Sequence, residues 1–244
     1  MRLDDIKKLH QKKHRQSFGR FIVEGEHPVL ELQKAARNTP ALLESELYVT
    51  ELYQAWESPF KTHLLTEKQF RHVADTENPQ GILAVVPLLQ GKAAVAATSD
   101  KERAIYLQEV QDPGNLGTIL RTLAWFGGFR VLLSPGSVDP FNPKVVRASM
   151  GAVFHVPIET EVSWHTLAER YDRIAMLDTE GACTRDPDFA DYDCYLFGNE
   201  ARGLPEELRN TFEGSRFSIV GVGAIESLNL ATAVNICAYE LARG

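Results

Sequence analysis

The chain has 244 residues, 44% of them hydrophobic and 24% charged, with three cysteines and a formal net charge of −7. That length and mixture describe one large α/β domain, or one domain plus a smaller one. No apolar run reaches the ~20 residues that span a bilayer, no apolar leader is visible, and Cys183, Cys194 and Cys237 form no CxxC pair, so neither a disulfide framework nor a thiolate zinc site is expected, and a reducing cytosol is.

Residues 1–20 carry Arg2, Lys7, Lys8, Lys12, Lys13, Arg15 and Arg20 against Asp4 and Asp5, a local +5 on an acidic body. This basic helix is expected to touch a polyanion locally, the alternative being a solvated face. FIVEGEHPVLELQKAA then reads as a strand turning into a helix, and ELYVT and THLLT as strands. Thr66-Glu67-Lys68-Gln69 has capping-box spacing and should start a helix through Val73, and GILAVVP reads as a buried strand. These elements make a small α/β unit over 1–88. The small and polar residues that follow predict a linker over 89–103.

The second unit is expected over 104–244. A strand at 104–110 breaks at Asp112-Pro113-Gly114-Asn115, and a helix over 115–126 stops at Gly127-Gly128. FRVLLS is a strand, and Asn142-Pro143 supplies an N-cap and first-position proline for a helix over KVVRASMGAVF. HVPI, RIAMLD, DCYLFG and RFSIVG read as strands, ARGLPEELRNTF as containing a short helix, and SLNLATAVNICAYELAR as the last helix. Alternating strands and helices imply a mostly parallel sheet.

Three polar or glycine-rich segments end strands: Asp112 to Arg121, LFGNEARGLP at 196–205, and SIVGVGAIESLNLATA at 218–233. Ligands of open α/β sheets bind where strands end and helices begin. An arginine at such a place has a reason to exist if an anion comes to it. Taken singly the segments are ordinary: Gly198-Asn199-Glu200 is a possible turn, Ser227 a possible cap, and Asn199, Arg202 and Arg147 reach either RNA or water. Gly221-Val222-Gly223 lacks the third glycine of a dinucleotide fingerprint, and a nucleotide-dependent oxidoreductase would need that fingerprint after the first strand, which ends in QDPGNLG instead. The seven histidines show no metal-ligand spacing, so no metal is assigned.

In this order and spacing, QDPGNLGTILRT, FGNEARGLP and ESLNLATA resemble the motifs of the SpoU family of S-adenosylmethionine-dependent RNA ribose 2′-O-methyltransferases, in the SPOUT superfamily. The resemblance covers 104–244; FIVEGEHPV and NPQGILAVV resemble more loosely the family's ribosomal-protein-like substrate-binding domain. One departure stands out: Ile219-Val220 replaces the Ile-Pro of many members, which alters the local loop.

The resemblance implies a trefoil-knotted α/β methyltransferase domain behind a smaller RNA-binding domain, and a homodimer with its active site near the subunit interface. It implies S-adenosylmethionine as cofactor, ribosomal or transfer RNA as substrate with ribosomal RNA favoured, and no membrane partner. By match, Arg121 is the catalytic arginine and Asn115, Glu200, Ser227 and Asn229 are the other polar catalytic positions. Gly198, Ile219 and Leu228 line the cofactor. RNA affinity is expected from Lys7, Lys8, Lys12, Lys13 and Arg15. Arg121 follows Asn115 by six residues on one helix, and the two are expected to converge on one phosphate–ribose unit. A non-catalytic RNA-binding protein on the same fold is the alternative; it would be signalled by loss of Asn115, Arg121 or the Ser-Leu-Asn run, and all are present.

Overall fold

The hydrophobic pattern resolves into two sheets in a computed structural model that describes residues 1–88, 102–212 and 215–243. Nearly all of the expected linker, residues 89–101, lies outside the described residues. Chain contacts divide the protein into two compact units, Met1–Ala97 with Asp139–His155, and Thr98–Val138 with Val156–Gly244.

The first unit starts with two short helices where one was expected, α1 (Leu3–Lys8) and α2 (Lys12–Phe18). Leu9 between them is fully buried, and the Arg15 guanidinium collects the Leu9 and His10 carbonyls at 2.9 and 3.0 Å. Those are orphan acceptors at a helix C-terminus, satisfied here by a side chain. β1 (Arg20–Glu24), α3 (Glu26–Ala36), β2 (Glu46–Val49), β3 (Lys61–Leu64), α4 (Glu67–Val73) and β4 (Ile82–Pro87) follow. Thr66 and Gln69 form the predicted capping box in full. The sheet order is β1-β4-β2-β3, with β4 antiparallel to both neighbours and β3 parallel to β2.

Residues 139–155 pack in this unit. α5 (Pro113–Phe126) and β5 (Arg103–Leu107) belong to the other unit, but α6 (Pro143–Ser149) lies in this one. Asn142 caps α6 as predicted, accepting from the Lys144 N–H at 2.9 Å. The helix expected to 154 stops earlier: Met150 and Gly151 are left-handed, and Ala152–Phe154 is a single 3₁₀ turn. A Cβ at Gly151 would run into the Glu31 side chain, so glycine and its φ of 90° are required there. Phe141 packs on Phe21 at 4.8 Å between ring centroids, Arg147 pairs with Asp75 at 2.6 Å, and Asp139 accepts from the buried Arg15.

The second unit is built on six parallel strands in the order β10-β8-β9-β5-β6-β7. The further elements are β6 (Phe129–Leu133), β7 (Ile158–Glu159), α7 (Leu167–Arg170), β8 (Ile174–Cys183), β9 (Cys194–Phe197), α8 (Glu206–Thr211), β10 (Arg216–Ser218) and α9 (Leu230–Arg243). Continuous apolar runs such as Ala104–Leu107 and Cys194–Phe197 are buried along their length, as parallel strands covered on both faces require. α5 turns Leu116, Ile119, Leu120 and Leu123 inward at helical spacing, and α9 packs beside it. β8 runs well past the expected RIAMLD because its second half pairs with β10 across a register shift. β5 is the point at which the strand order reverses, with β6 on one side and β9 on the other.

Candidate active site

All strands of the second sheet run parallel, so the loops leaving β5, β9 and β10 emerge at one edge. These are the three segments singled out in the sequence. A groove of about 440 Å³ lies there, lined by Gln111, Asp112, Asn115, Asn199, Glu200, Ala201 and Ser227 to Leu230.

Its floor is the start of α5. Asp112 is the N-cap, its carboxylate accepting the Asn115 N–H at 2.7 Å, with Pro113 at the first helical position. A Cβ at Gly114 would sit 2.9 Å from that carboxylate, so glycine leaves the cap room to close. The helix thus begins two residues before the expected Asn115, and the cap was legible in the Asp-Pro pair.

Three polar side chains from the three segments join over this helix end. Asn115 donates from Nδ2 to Glu200 Oε1 at 3.2 Å and accepts at Oδ1 from Asn229 Nδ2 at 3.0 Å. Glu200 also accepts the Gln111 and Asp112 N–H groups at 3.4 and 3.5 Å. A carboxylate at a helix N-terminus is favoured by the dipole and by the unpaired N–H groups. Asn229, expected within the last helix, is its cap: Oδ1 accepts the Thr232 N–H at 3.2 Å and its carbonyl the Ala233 N–H at 2.9 Å. The partner that its helix-averse side chain called for is Asn115. Ser227, expected to cap, lies three residues before α9 and leaves its hydroxyl exposed.

The loop after β9 turns back sharply. A Cβ at Gly198 would come within 2.6 Å of the Leu204 nitrogen, so Gly198 shapes the loop without lining the groove. The loop after β10 is open. Among the described residues no hydrogen bond involves residues 220–228, and Val222, Ile225 and Leu228 are exposed. Ile219 is half-buried at the base of this loop and outside the groove lining.

Arg121 is not in this constellation. Six residues along a helix is about 9 Å of rise and about 120° of rotation away from Asn115, so the two do not converge within one chain. Arg121 shares an exposed stripe with Gly114, Thr118 and Trp125, makes no hydrogen bond or ion pair among the described residues, and does not line the groove. Trp125 is 84% exposed and Tyr239 of α9 is 50% exposed, with the Phe126 ring 6.1 Å from Tyr239.

Of the basic residues assigned to RNA, Lys7, Lys8, Lys12 and Lys13 are exposed, Lys8 beside Asp5 at 2.9 Å. Arg15 corrects the expectation: it is 2% exposed, and four of its five guanidinium N–H donors go to Asp139 and two carbonyls, so it is not presented to a phosphate. Arg147 and Arg202, left open between RNA and water, pair with Asp75 and Glu109. Asn199, Gln111 and Asp112 are site residues the motif match did not single out.

Burial pushes the Tyr106 hydroxyl up to about 12, and the Cys194 thiol upward too; the Cys183 thiol is lowered by the Arg185 N–H that points at its sulfur. Among the described residues no three His, Cys, Asp or Glu side chains gather as a metal site, and no helix is long and apolar enough to cross a membrane.

Comparison with known proteins adds to this geometry. The SpoU rRNA Methylase family model matches residues 102–239, and the MRM3-like substrate binding domain model matches residues 2–84. The 23S rRNA (guanosine(2553)-2′-O)-methyltransferase RlmP of Bacillus subtilis is 31% identical over 98% of this chain and 95% of its own length. The mitochondrial rRNA methyltransferase 3 of Mus musculus is 29% identical over 93% of this chain and 68% of its own. The crystal structure of an AdoMet-bound rRNA methyltransferase from Sinorhizobium meliloti superposes with a TM-score of 0.82 at 28% identity, covering 99% of this chain and 94% of that one.

Proposed function

The chain belongs to the SpoU rRNA Methylase family, and we infer from this and from the groove that it is an S-adenosylmethionine-dependent RNA methyltransferase acting on a ribose 2′-OH, with ribosomal RNA as substrate. The observation that carries the reading is the Glu200–Asn115–Asn229 chain of hydrogen bonds, which joins all three motif segments at the end of the parallel strands. A binding protein without chemistry has no need of such a fixed carboxylate–amide array.

The groove fits the cofactor. Its volume lies in the small-ligand range of about 300–1,000 Å³. Loop 220–228 offers unspent backbone N–H and C=O groups and the exposed Leu228 for an adenine ring, with Gly198 and Ile219 setting the loop bases and Ser227 adding a hydroxyl. When bound, the cofactor supplies a methyl group already activated by its sulfonium. The chain's task is to hold the hydroxyl in line and ease the departure of its proton. Asn115 and Asn229 fix the Glu200 carboxylate at the helix end. Arg121 stabilises the developing negative charge and grips the neighbouring phosphate as a bidentate donor.

Arg121 reaches the site from a second copy of the chain. The exposed stripe of Arg121 and Trp125 on α5, with Tyr239 on α9, is an apolar and cationic face of the kind a C2 homodimer buries. The first unit binds the RNA through Lys7, Lys8, Lys12 and Lys13, a role supported by the substrate-binding model matched over 2–84. An open cavity of about 450 Å³ at the start of α3, lined by His27, Asn78, Gln80, Arg147 and Met150 among others, adds polar surface there. We also propose a trefoil knot in the second unit. Supporting it are the insertion of β9 between β8 and β5, and the backbone passage at Gly181, where a Cβ would lie 2.6 Å from the Arg216 carbonyl carbon. Three free cysteines are in keeping with a cytoplasmic protein.

The test is transfer of tritiated methyl from S-adenosylmethionine to ribosomal and transfer RNA, with the product mapped by resistance of one 2′-O-methylated position to alkaline cleavage. Cofactor binding without transfer to any RNA would refute the reading.

A further inference from the structure

Glu200 does not hold its own place. It is exposed, it sits on a loop, and two of its three hydrogen bonds are 3.4 Å or longer. The residue before it is different in kind. Asn199 is 8% exposed and uses both ends of its side chain: Nδ2 donates to the Glu109 carbonyl at 2.7 Å, while Oδ1 accepts the Ala201 and Arg202 N–H groups at 3.0 and 3.1 Å. Its backbone exchanges two hydrogen bonds with Gly203, each 2.9 Å, so the loop closes on itself.

The acceptor on the other side is equally constrained. Glu109 has a φ of 46°, a left-handed conformation uncommon for a residue with a Cβ. Its N–H donates to Ser134 Oγ at 2.6 Å, and its carboxylate accepts from the Arg202 guanidinium. The left-handed turn aims the Glu109 carbonyl at Asn199. It does so where β5 and β9, the two strands that deliver Asn115 and Glu200, come to an end.

We propose that Asn199 is a positioning residue for methyl transfer: by clamping the 198–203 loop to the carbonyl of Glu109, whose left-handed backbone is the other half of the clamp, it sets the Glu200 carboxylate against Asn115. The proposal rests on the reading of Glu200 as part of the transferring site. Asn199→Asp keeps the size and both N–H acceptors but sets an acceptor against the Glu109 carbonyl in place of a donor. Glu109→Gly keeps the carbonyl and takes up the left-handed φ freely, losing the ion pair with the exposed Arg202, of little worth, and a long hydrogen bond of 3.3 Å from Gln108 Nε2. Glu109→Val cannot hold that φ without strain.

The experiment is a double-mutant cycle on the single-turnover methyl-transfer rate at saturating RNA and cofactor. Asn199→Asp should slow transfer about 10–100-fold, the scale of a displaced catalytic group, and by less than about twofold in a Glu200→Gln background, because the two act as one unit. Glu109→Gly should stay within about threefold of wild type, and Glu109→Val should fall with Asn199→Asp. Equal losses in both Glu200 backgrounds would overturn the proposal, as would a Glu109→Gly protein as slow as Glu109→Val. A crystal structure of Asn199→Asp reads the clamp without turnover. Glu200 withdrawn from Asn115 supports it, and Glu200 still within hydrogen-bond reach overturns it. An inactive wild type with Glu200 withdrawn in the variant would defeat the methyl-transfer reading and leave the clamp standing.

Discussion

Arg15 separates a structural cation from a functional one within a single basic segment. Its guanidinium donates from Nε and Nη2 to Asp139 and from Nη1 to the carbonyls of Leu9 and His10, and it is 2% exposed. Arg15→Ala leaves the shielded Asp139 carboxylate unpaired and two carbonyls without their donor. Breaking one side of a buried ion pair costs about 3–5 kcal/mol, and two stranded acceptors put the loss at the upper end. A unit of this size shifts its midpoint by about 4 °C per kcal/mol, so calorimetry should show the first transition lowered by about 15–20 °C. Arg15→Lys should recover only part, because an ammonium cannot serve three directions as a fork does. The double variant Arg15→Ala with Asp139→Ala should lose less than the sum of the two single changes. Residual folded Arg15→Ala protein, assayed below its midpoint, should show an unaltered salt dependence of RNA binding. A midpoint within about 2 °C of wild type, or a flattened salt slope, would refute the assignment and return Arg15 to the RNA surface.

The exposed lysines should behave in the opposite way. Changing Lys7, Lys8, Lys12 and Lys13 together to Ala should leave the midpoint nearly unchanged and reduce the slope of log affinity against log salt by about 1–3, since each lost phosphate contact removes counterion release; an unchanged slope makes this a solvated face. Arg121→Ala should slow methyl transfer by roughly 10²–10³ with cofactor affinity unmoved, and Arg121→Lys should rescue poorly. Subunit mixing tests where Arg121 acts: Arg121→Ala and Glu200→Gln chains, each strongly slowed alone, should regain roughly a quarter of wild-type rate when re-paired at random, because one site of each mixed dimer is whole. No recovery would place both residues in one chain's site. Cys183, half-exposed and with a lowered thiol pKa, should react with a maleimide well before Cys194 and Cys237, both raised by burial. Its rate should fall about tenfold per pH unit below its pKa as the thiolate is lost, and equal labelling of Cys194 in the native protein would contradict the burial argument.

The elements legible in the sequence are those specified locally. The Thr66 capping box and the Asn142-Pro143 start formed as predicted because a cap and its helix lie within four residues of each other. The misread boundaries are those set from afar. KVVRASMGAVF carries no breaker before Gly151, and the left-handed pair at 150–151 answers to Glu31, far along the chain. The break between α1 and α2 has no proline or glycine to announce it. It is fixed by burial of Leu9 and by the Arg15 guanidinium gathering the carbonyls of that turn. Nor does chain order reveal that residues 139–155, lying between two strands of one sheet, pack with the other unit. Contacts such as those of Phe141, Arg147 and Asp139 with Phe21, Asp75 and Arg15 do so.

In the site, the motif residues that meet are those carried by strand ends. A parallel sheet brings every such loop to one edge, whatever its sequence separation, so Asn115, Glu200 and Asn229 converge across 85 and 114 residues. Helical rotation works against Arg121, which six steps of about 100° turn away from Asn115. The resulting site has two physically different halves. On the proposed reading, the carboxylate and amides set toward the reacting hydroxyl are held by mutual hydrogen bonds, by the Asp112 cap and by the Asn199 clamp, which leaves little reorganisation for the reaction itself. The 220–228 loop and Arg121 have no such partners among the described residues. On the same reading they are the parts left to a ligand, the loop to a cofactor and the arginine to a phosphate, each engaging a partner that its own chain does not supply.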